Sequence, residues 1–163
     1  MGKRLLFIIS MVGFVIIGRG QTIAKMKMTD VVKYFNKNND TVYVVNFWAT
    51  FCKPCVAEIP YFISACNKYK DRKVKLLLVS LDLSDDYPAK IRAFVKKRKF
   101  NTSIAWLNET NADIFCPMID KKWSGAIPAT IIVNNKIGFR QFFEDEMSRE
   151  QFESVLSKAV GSL

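Results

Sequence analysis

The feature that most constrains this chain is the run from Val42 to Trp48, β-branched and aromatic residues broken only by Asn46, which leads within a few residues into Cys52-Lys53-Pro54-Cys55. A run of strand length with no polar alternation suits a strand covered on both faces. Beyond Cys55 the apolar positions Ile59, Phe62, Ile63, Cys66 and Tyr69 recur at helical spacing, so a helix starts at the cysteine motif and ends near Lys70. Pro60 inside it removes one backbone donor and is expected to kink the helix without ending it. The two cysteines therefore sit where a buried strand gives way to a helix.

The rest of the chain supplies the layers around that junction. Met28-Thr29-Asp30 ahead of Val31, Val32, Tyr34 and Phe35 predicts a short amphipathic helix with Thr29 as its N-cap, ending in the Asn-rich stretch 36–40. Residues 74–82 read as a second buried strand. Ser84-Asp85-Asp86 with Pro88 announces a helix whose apolar face carries Ile91, Phe94 and Val95. A third strand over 103–107, a short helix over 110–115 and a fourth strand over 129–133 follow. A tight turn at Asn134-Asn135, where positive φ is tolerated, leads to a returning strand over 137–143. Ser148-x-x-Gln151 reads as a capping box for a last helix with Phe152, Val155, Leu156 and Ala159 on its core face. From Val42 onward the order β-α-β-α-β-α-β-β-α predicts an α/β domain, a mixed central β-sheet flanked by helices on both faces.

A chain of 163 residues is long enough for one domain with a full hydrophobic core. Residues 1–20 stand apart: Lys3 and Arg4 precede an apolar run over 5–17, followed by Gly18-Arg19-Gly20. This is the pattern of an N-terminal signal peptide or, because Arg19 interrupts the small-residue exit, of an uncleaved anchor. Either way residues 21–163 form a domain expected outside the cytoplasm, periplasmic or otherwise, touching the membrane only through such an anchor. Without Lys3, Arg4 and Arg19 the net charge drops from +10 to +7. The remaining positive charges are scattered apart from Lys96-Lys97-Arg98-Lys99, which reads as a solvated helix end, and no nucleic-acid motif accompanies them. No nucleic-acid partner is expected.

A Cys-x-x-Cys can be half a zinc site, a structural disulfide or a redox pair. Zinc needs about four ligands, and the chain has no His while Cys66 and Cys116 stand alone, so no metal is expected. A disulfide closing so small a loop adds little stability through chain entropy. Redox chemistry is favoured, because the unpaired N–H groups and positive dipole end of a helix N-terminus stabilise a thiolate. Lys53 adds a cation, and Pro54 stiffens the turn while giving up an N–H that the helix start does not use. Cys52, at the outer end, is the expected nucleophile and Cys55 the resolving thiol. Cys66 falls on the apolar face of the helix that starts at the cysteine motif and reads as a core residue. Cys116, in an irregular Phe115-Cys116-Pro117 segment, is open to pairing with Cys66 or to an accessory role.

Trp48-Ala49-Thr50-Phe51-Cys52-Lys53-Pro54-Cys55, with Pro60 downstream and the distant Ala126-Ile127-Pro128-Ala129-Thr130, resembles the thioredoxin superfamily, most closely its TlpA/ResA-like exported thiol-disulfide oxidoreductases. The resemblance spans about residues 42–160. It implies a thioredoxin-like fold, a cis peptide before Pro128 facing the disulfide, and backbone hydrogen bonds from Ile127 to an extended substrate. Trp48, Lys53, Pro54, Ile127 and Pro128 are the substrate-contacting set it implies, with Pro128 beside Cys52, Cys55 and Glu58 in the catalytic group. Asn46 stands where cytoplasmic-type thioredoxins carry a buried Asp, and Glu58 stands where ResA-like proteins carry a Glu near the active site. A carboxylate there can hold or relay the proton of the inner thiol.

The resemblance further implies a disulfide reductase without a cofactor, acting on protein disulfides, among them apocytochromes c awaiting haem attachment in cytochrome c maturation. A membrane thiol carrier would be its electron donor. Rivals are a thiol oxidase or isomerase and a non-enzymatic copper-delivery module of the same fold. Copper delivery usually takes a three-residue Cys spacing and a His, both missing here. A peroxiredoxin would need a solitary peroxidatic Cys in a Pro/Thr-rich context, which the sequence lacks.

Overall fold

The computed structural model describes residues 21–69, 71 and 73–161, so the expected leader in residues 1–20 lies outside the described residues. Strand β2, Val42–Trp48, is buried at all seven positions and lies inside a six-stranded sheet. The other strands are β1 Ile23–Met26, β3 Val74–Ser80, β4 Ser103–Leu107, β5 Ala129–Asn134 and β6 Phe139–Phe143. Their order across the sheet is β1-β4-β3-β2-β5-β6. β1, β4, β3 and β2 run parallel, and β5 and β6 are antiparallel, so the sheet is mixed as expected. β1 escapes sequence analysis because Ile-Ala-Lys-Met is short and carries a Lys. Its place at the edge, pairing Ile23 with Ile104, supplies what its own pattern does not.

The alternation of side chains along the strands creates two cores. Val42, Val44, Trp48, Leu76, Leu78, Ile104, Trp106 and Ile132 face α2 (Lys53–Lys68), α3 (Ala89–Arg98) and α5 (Arg149–Val160). Tyr43, Val45, Phe47, Leu77, Val79, Ile131 and Val133 face α1 (Met28–Phe35) and α4 (Ala112–Ile119). Helix α2 runs 16 residues through Pro60 and buries Cys55, Glu58, Ile59, Phe62, Ala65 and Cys66, one stripe at i, i+3, i+4, i+7 spacing. Phe62 of that stripe stacks on Phe152 of α5 with ring centroids 3.8 Å apart. Lys96, Lys97 and Arg98 close α3, where cations complement the negative end of the helix dipole.

Four local expectations are corrected. Thr29 is not the N-cap of α1. The N-cap is Lys27, so the helix starts two residues earlier than expected, at Met28, and its first amides are met by carboxylates: Lys27 N–H donates to Asp30 at 3.1 Å and Met28 N–H to Glu109 at 2.7 Å. Asn134-Asn135 is not the positive-φ turn, because that conformation falls on Gly138 at φ 65°. The two asparagines serve through their side chains instead, Asn134 donating to Ala159 O and Asn135 to Phe35 O and Lys37 O. Cys116 is not in an irregular segment but inside α4, whose last turn closes beyond Pro117 through Asp120 N–H to Cys116 O. It cannot pair with Cys66, since both are free and the two belong to cores on opposite faces of the sheet.

Candidate active site

β2 ends at Trp48, and the chain turns through residues 49–51 before α2 begins. That turn is held by Asp82, just past the end of β3. Its carboxylate accepts from Thr50 N–H at 3.0 Å, from the Thr50 hydroxyl at 2.6 Å and from the Ser80 hydroxyl at 2.6 Å. Asp82 thus shapes the approach to Cys52, a role the sequence did not reveal. Its partner lies 32 residues away, and no local pattern marks the pair.

Cys52 is the N-cap of α2, its sulfur accepting from Cys55 N–H at 3.3 Å. Pro54 lies in the first turn, where a missing N–H costs no helical bond. Cys52 and Cys55 are joined as a disulfide with Cα atoms 5.3 Å apart. Cys52 keeps 8% of its surface exposed and Cys55 none, so the outer sulfur is the one a partner can reach. Phe51, Lys53 and Pro54 are exposed around it. Trp48, expected to contact substrate, is instead fully buried against Phe94 and Phe100 and offers a partner no surface. Strand alternation explains this, since Trp48 shares its face of the sheet with Val42 and Val44.

Glu58 is buried one helical turn beyond Cys55, within the apolar stripe of α2. One carboxylate oxygen accepts from the Asn46 amide at 2.8 Å and the other from Met147 N–H at 3.1 Å. Burial pushes its pKa up to about 7, against the pull of those two donors and with the charges of Glu146 and Asp145 adding to the rise. Asn46 gives its amide also to the Thr130 hydroxyl at 3.0 Å, and its own oxygen has no partner among the described residues. An Asp at position 46 would set a second acid 2.8 Å from the first; Asn keeps a single titrating carboxyl in this core.

The third side of the site comes from the start of β5. The Ile127–Pro128 peptide is cis, Pro128 is buried, and Ile127 is half-buried. The Ile127 carbonyl oxygen stands 3.8 Å from the Cys52 sulfur. Cys52, Cys55, Glu58, Ile127 and Pro128 are thus gathered from α2 and the entry to β5, while Cys66 and Cys116 lie elsewhere. Among the described residues no cluster of three or more His, Cys, Asp or Glu side chains suits a metal ion.

The sequence matches the profile of the AhpC/TSA family over residues 21–140. A thiol-disulfide oxidoreductase ResA of Bacillus cereus is 28% identical over 114 residues, covering 70% of this chain and 61% of the relative. The chain thus spans less than two thirds of the length of that curated relative. A sporulation thiol-disulfide oxidoreductase A of Bacillus subtilis is 32% identical over 69 residues, 42% of this chain and 41% of that one. Among solved structures, a thioredoxin-related protein from Neisseria meningitidis serogroup B superposes with a TM-score of 0.60 at 28% identity, covering 76% of this chain and 84% of that one. The six-stranded mixed sheet is accordingly a thioredoxin-like fold, and the chain belongs to the AhpC/TSA family.

Proposed function

We propose that the chain is a thiol-disulfide oxidoreductase that reduces disulfides of proteins outside the cytoplasm. The observation that carries this reading is the Cys52–Cys55 disulfide at the N-terminus of α2, its outer sulfur 3.8 Å from the Ile127 carbonyl. Reactive sulfur and an open backbone edge meet at one spot, which is what exchange with an extended polypeptide needs. In the reduced chain the Cys52 thiolate attacks one sulfur of the substrate disulfide, forming a mixed disulfide and expelling the other substrate sulfur as a thiolate. Cys55 then attacks the Cys52 sulfur, closing the Cys52–Cys55 bond and releasing the second substrate thiolate. Two electrons pass to the substrate. Glu58, with its pKa near neutrality, takes up the Cys55 proton during that second step. Ile127 and Pro128 hold the substrate backbone, and Lys53 and Pro54 border it.

The ResA-named relatives support thiol-disulfide exchange; the reducing direction, a membrane thiol carrier as the source of electrons and apocytochrome c among the substrates rest on the family resemblance read from the sequence. Export through residues 1–20 belongs to the same reading. A reduction potential of about −270 mV would fit a reductant, and one of about −120 mV an oxidant.

The test is a trap. Cys55→Ser removes the thiol that resolves the mixed disulfide, so covalent Cys52 adducts should accumulate outside the cytoplasm and survive non-reducing separation, whereas Cys52→Ser should yield none. A haem-attachment peptide identified by mass spectrometry among the adducts would support the cytochrome c assignment. Adducts with Cys52→Ser alone would reverse the two roles, and none with either variant would remove protein disulfides as the substrate.

A further inference from the structure

The backbone that leads into Ile127 has no regular structure of its own. Residues 124–126 join α4 and its following turn to β5, and Gly125 sits at φ +96°, a region most side chains avoid. What fixes this segment is a side chain from beyond the far end of the neighbouring hairpin strand. Thr130 pairs with Phe143, so the residue after β6, Glu144, comes to lie beside the approach to β5. One oxygen of its carboxylate accepts from Ser124 N–H at 2.8 Å, from Ala126 N–H at 3.2 Å and from the Ser124 hydroxyl. Trp123 adds its indole N–H to Ala126 O at 2.9 Å. Glu144 takes part in no ion pair among the described residues, so its carboxylate is committed to this backbone. Three residues on, Met147 N–H donates to Glu58. The turn over 144–147 therefore touches both the loop that presents Ile127 and the buried acid beyond Cys55.

We propose that Glu144 is a positioning residue: its carboxylate locks residues 124–126 so that the Ile127 backbone is already set to receive an extended polypeptide. This inference rests on the polypeptide-disulfide reading above. Without the carboxylate, Gly125 and its neighbours sample other conformations, and apparent affinity falls by the fraction of molecules in which the loop remains set. The cysteines are carried by α2, whereas the Glu144 carboxylate bonds to Ser124 and Ala126. The cost therefore falls on binding of an extended substrate and spares a small disulfide that needs only the Cys52 sulfur.

The experiment compares reduced wild-type, Glu144→Ala and Glu144→Gln chains on two substrates, an extended peptide with an internal disulfide and the small aromatic disulfide DTNB. In Glu144→Ala, KM for the peptide should rise about tenfold with kcat within about twofold, while the rate with DTNB stays within about twofold of wild type. Glu144→Gln keeps an acceptor oxygen and should return the peptide KM to within about threefold of wild type. The amides of Ser124 and Ala126 should lose protection from hydrogen exchange in the Ala variant, a readout independent of turnover. Equal losses on both substrates, an unchanged peptide KM, or a Gln variant as poor as Ala would overturn the proposal. A wild-type chain that reduces DTNB but not the peptide would instead overturn the polypeptide reading and this inference with it, an outcome visible before any variant is made.

Discussion

Cys52 caps α2 and Cys66 lies within it, with nearly equal exposure, 8% and 6%, yet the roles proposed for them differ. Accessibility does not separate them; position along α2 does. Cys52 caps the N-terminus, where unpaired N–H groups and the positive dipole end favour a thiolate. Cys66 sits in the last turn, facing core side chains, and burial pushes its thiol up to about 12. Cys116, in α4 on the other face of the sheet, is likewise pushed up to about 11 by burial, with the charges of Glu144 and Asp113 acting the same way. On the proposed function, where the fold sets a cysteine against the helix backbone decides whether it serves as nucleophile or as a piece of core.

The sharpest way to break this contrast is substitution at the two sites. Cys52→Ser should lower the initial rate of disulfide reduction by at least about 10³-fold, because Cys55 is fully buried and burial pushes the Cys66 and Cys116 thiols far above neutral pH. Cys66→Ala should stay within about twofold of wild type while losing on the order of 1–2 kcal/mol of stability for the volume removed. A comparable rate loss at Cys66 would mean that the buried thiol takes part in exchange.

A smaller effect is expected at Glu58. If it accepts the Cys55 proton, wild-type turnover should rise as pH passes through about 7, and Glu58→Gln should flatten that rise and slow turnover above it by about tenfold. Stability moves the opposite way. The folded pKa of about 7 lies above the ordinary carboxyl value of 4.5, so the neutral form is the one the fold favours. The contribution is fully present below 4.5 and is lost as pH rises through about 7. Denaturant midpoints should show wild type losing on the order of 3 kcal/mol relative to Glu58→Gln over that interval. Parallel profiles for the two proteins would show that Glu58 ionises as easily folded as unfolded.

The parts legible in the sequence were those whose signal is local. The Val42–Trp48 run, the helical stripe after Cys55 and the hairpin strand pair all lie where periodicity predicted them. The cysteine pair was legible because a helix start is itself a short-range pattern, and the cis peptide before Pro128 came only through family resemblance. Side chains acting across long sequence intervals stayed hidden. Asp82 on Thr50, Glu144 on Ser124 and Ala126, and Asn46 on Glu58 are polar contacts spanning 12 to 32 residues, and no spacing rule announces them. Trp48 stays hidden from the substrate for a related reason: it adjoins the motif in sequence, but the pleat of β2 turns its ring into the core.

The most direct test of the central claim, that the start of α2 makes Cys52 the nucleophile, is the ultraviolet thiolate absorbance of the reduced protein titrated with pH, with Cys52→Ser as control. The account predicts an inflection well below the free-thiol value of about 8.5 that vanishes in the variant, with Cys66 and Cys116 silent until far more alkaline pH. A Cys52-dependent inflection at or above about 8.5 would contradict it.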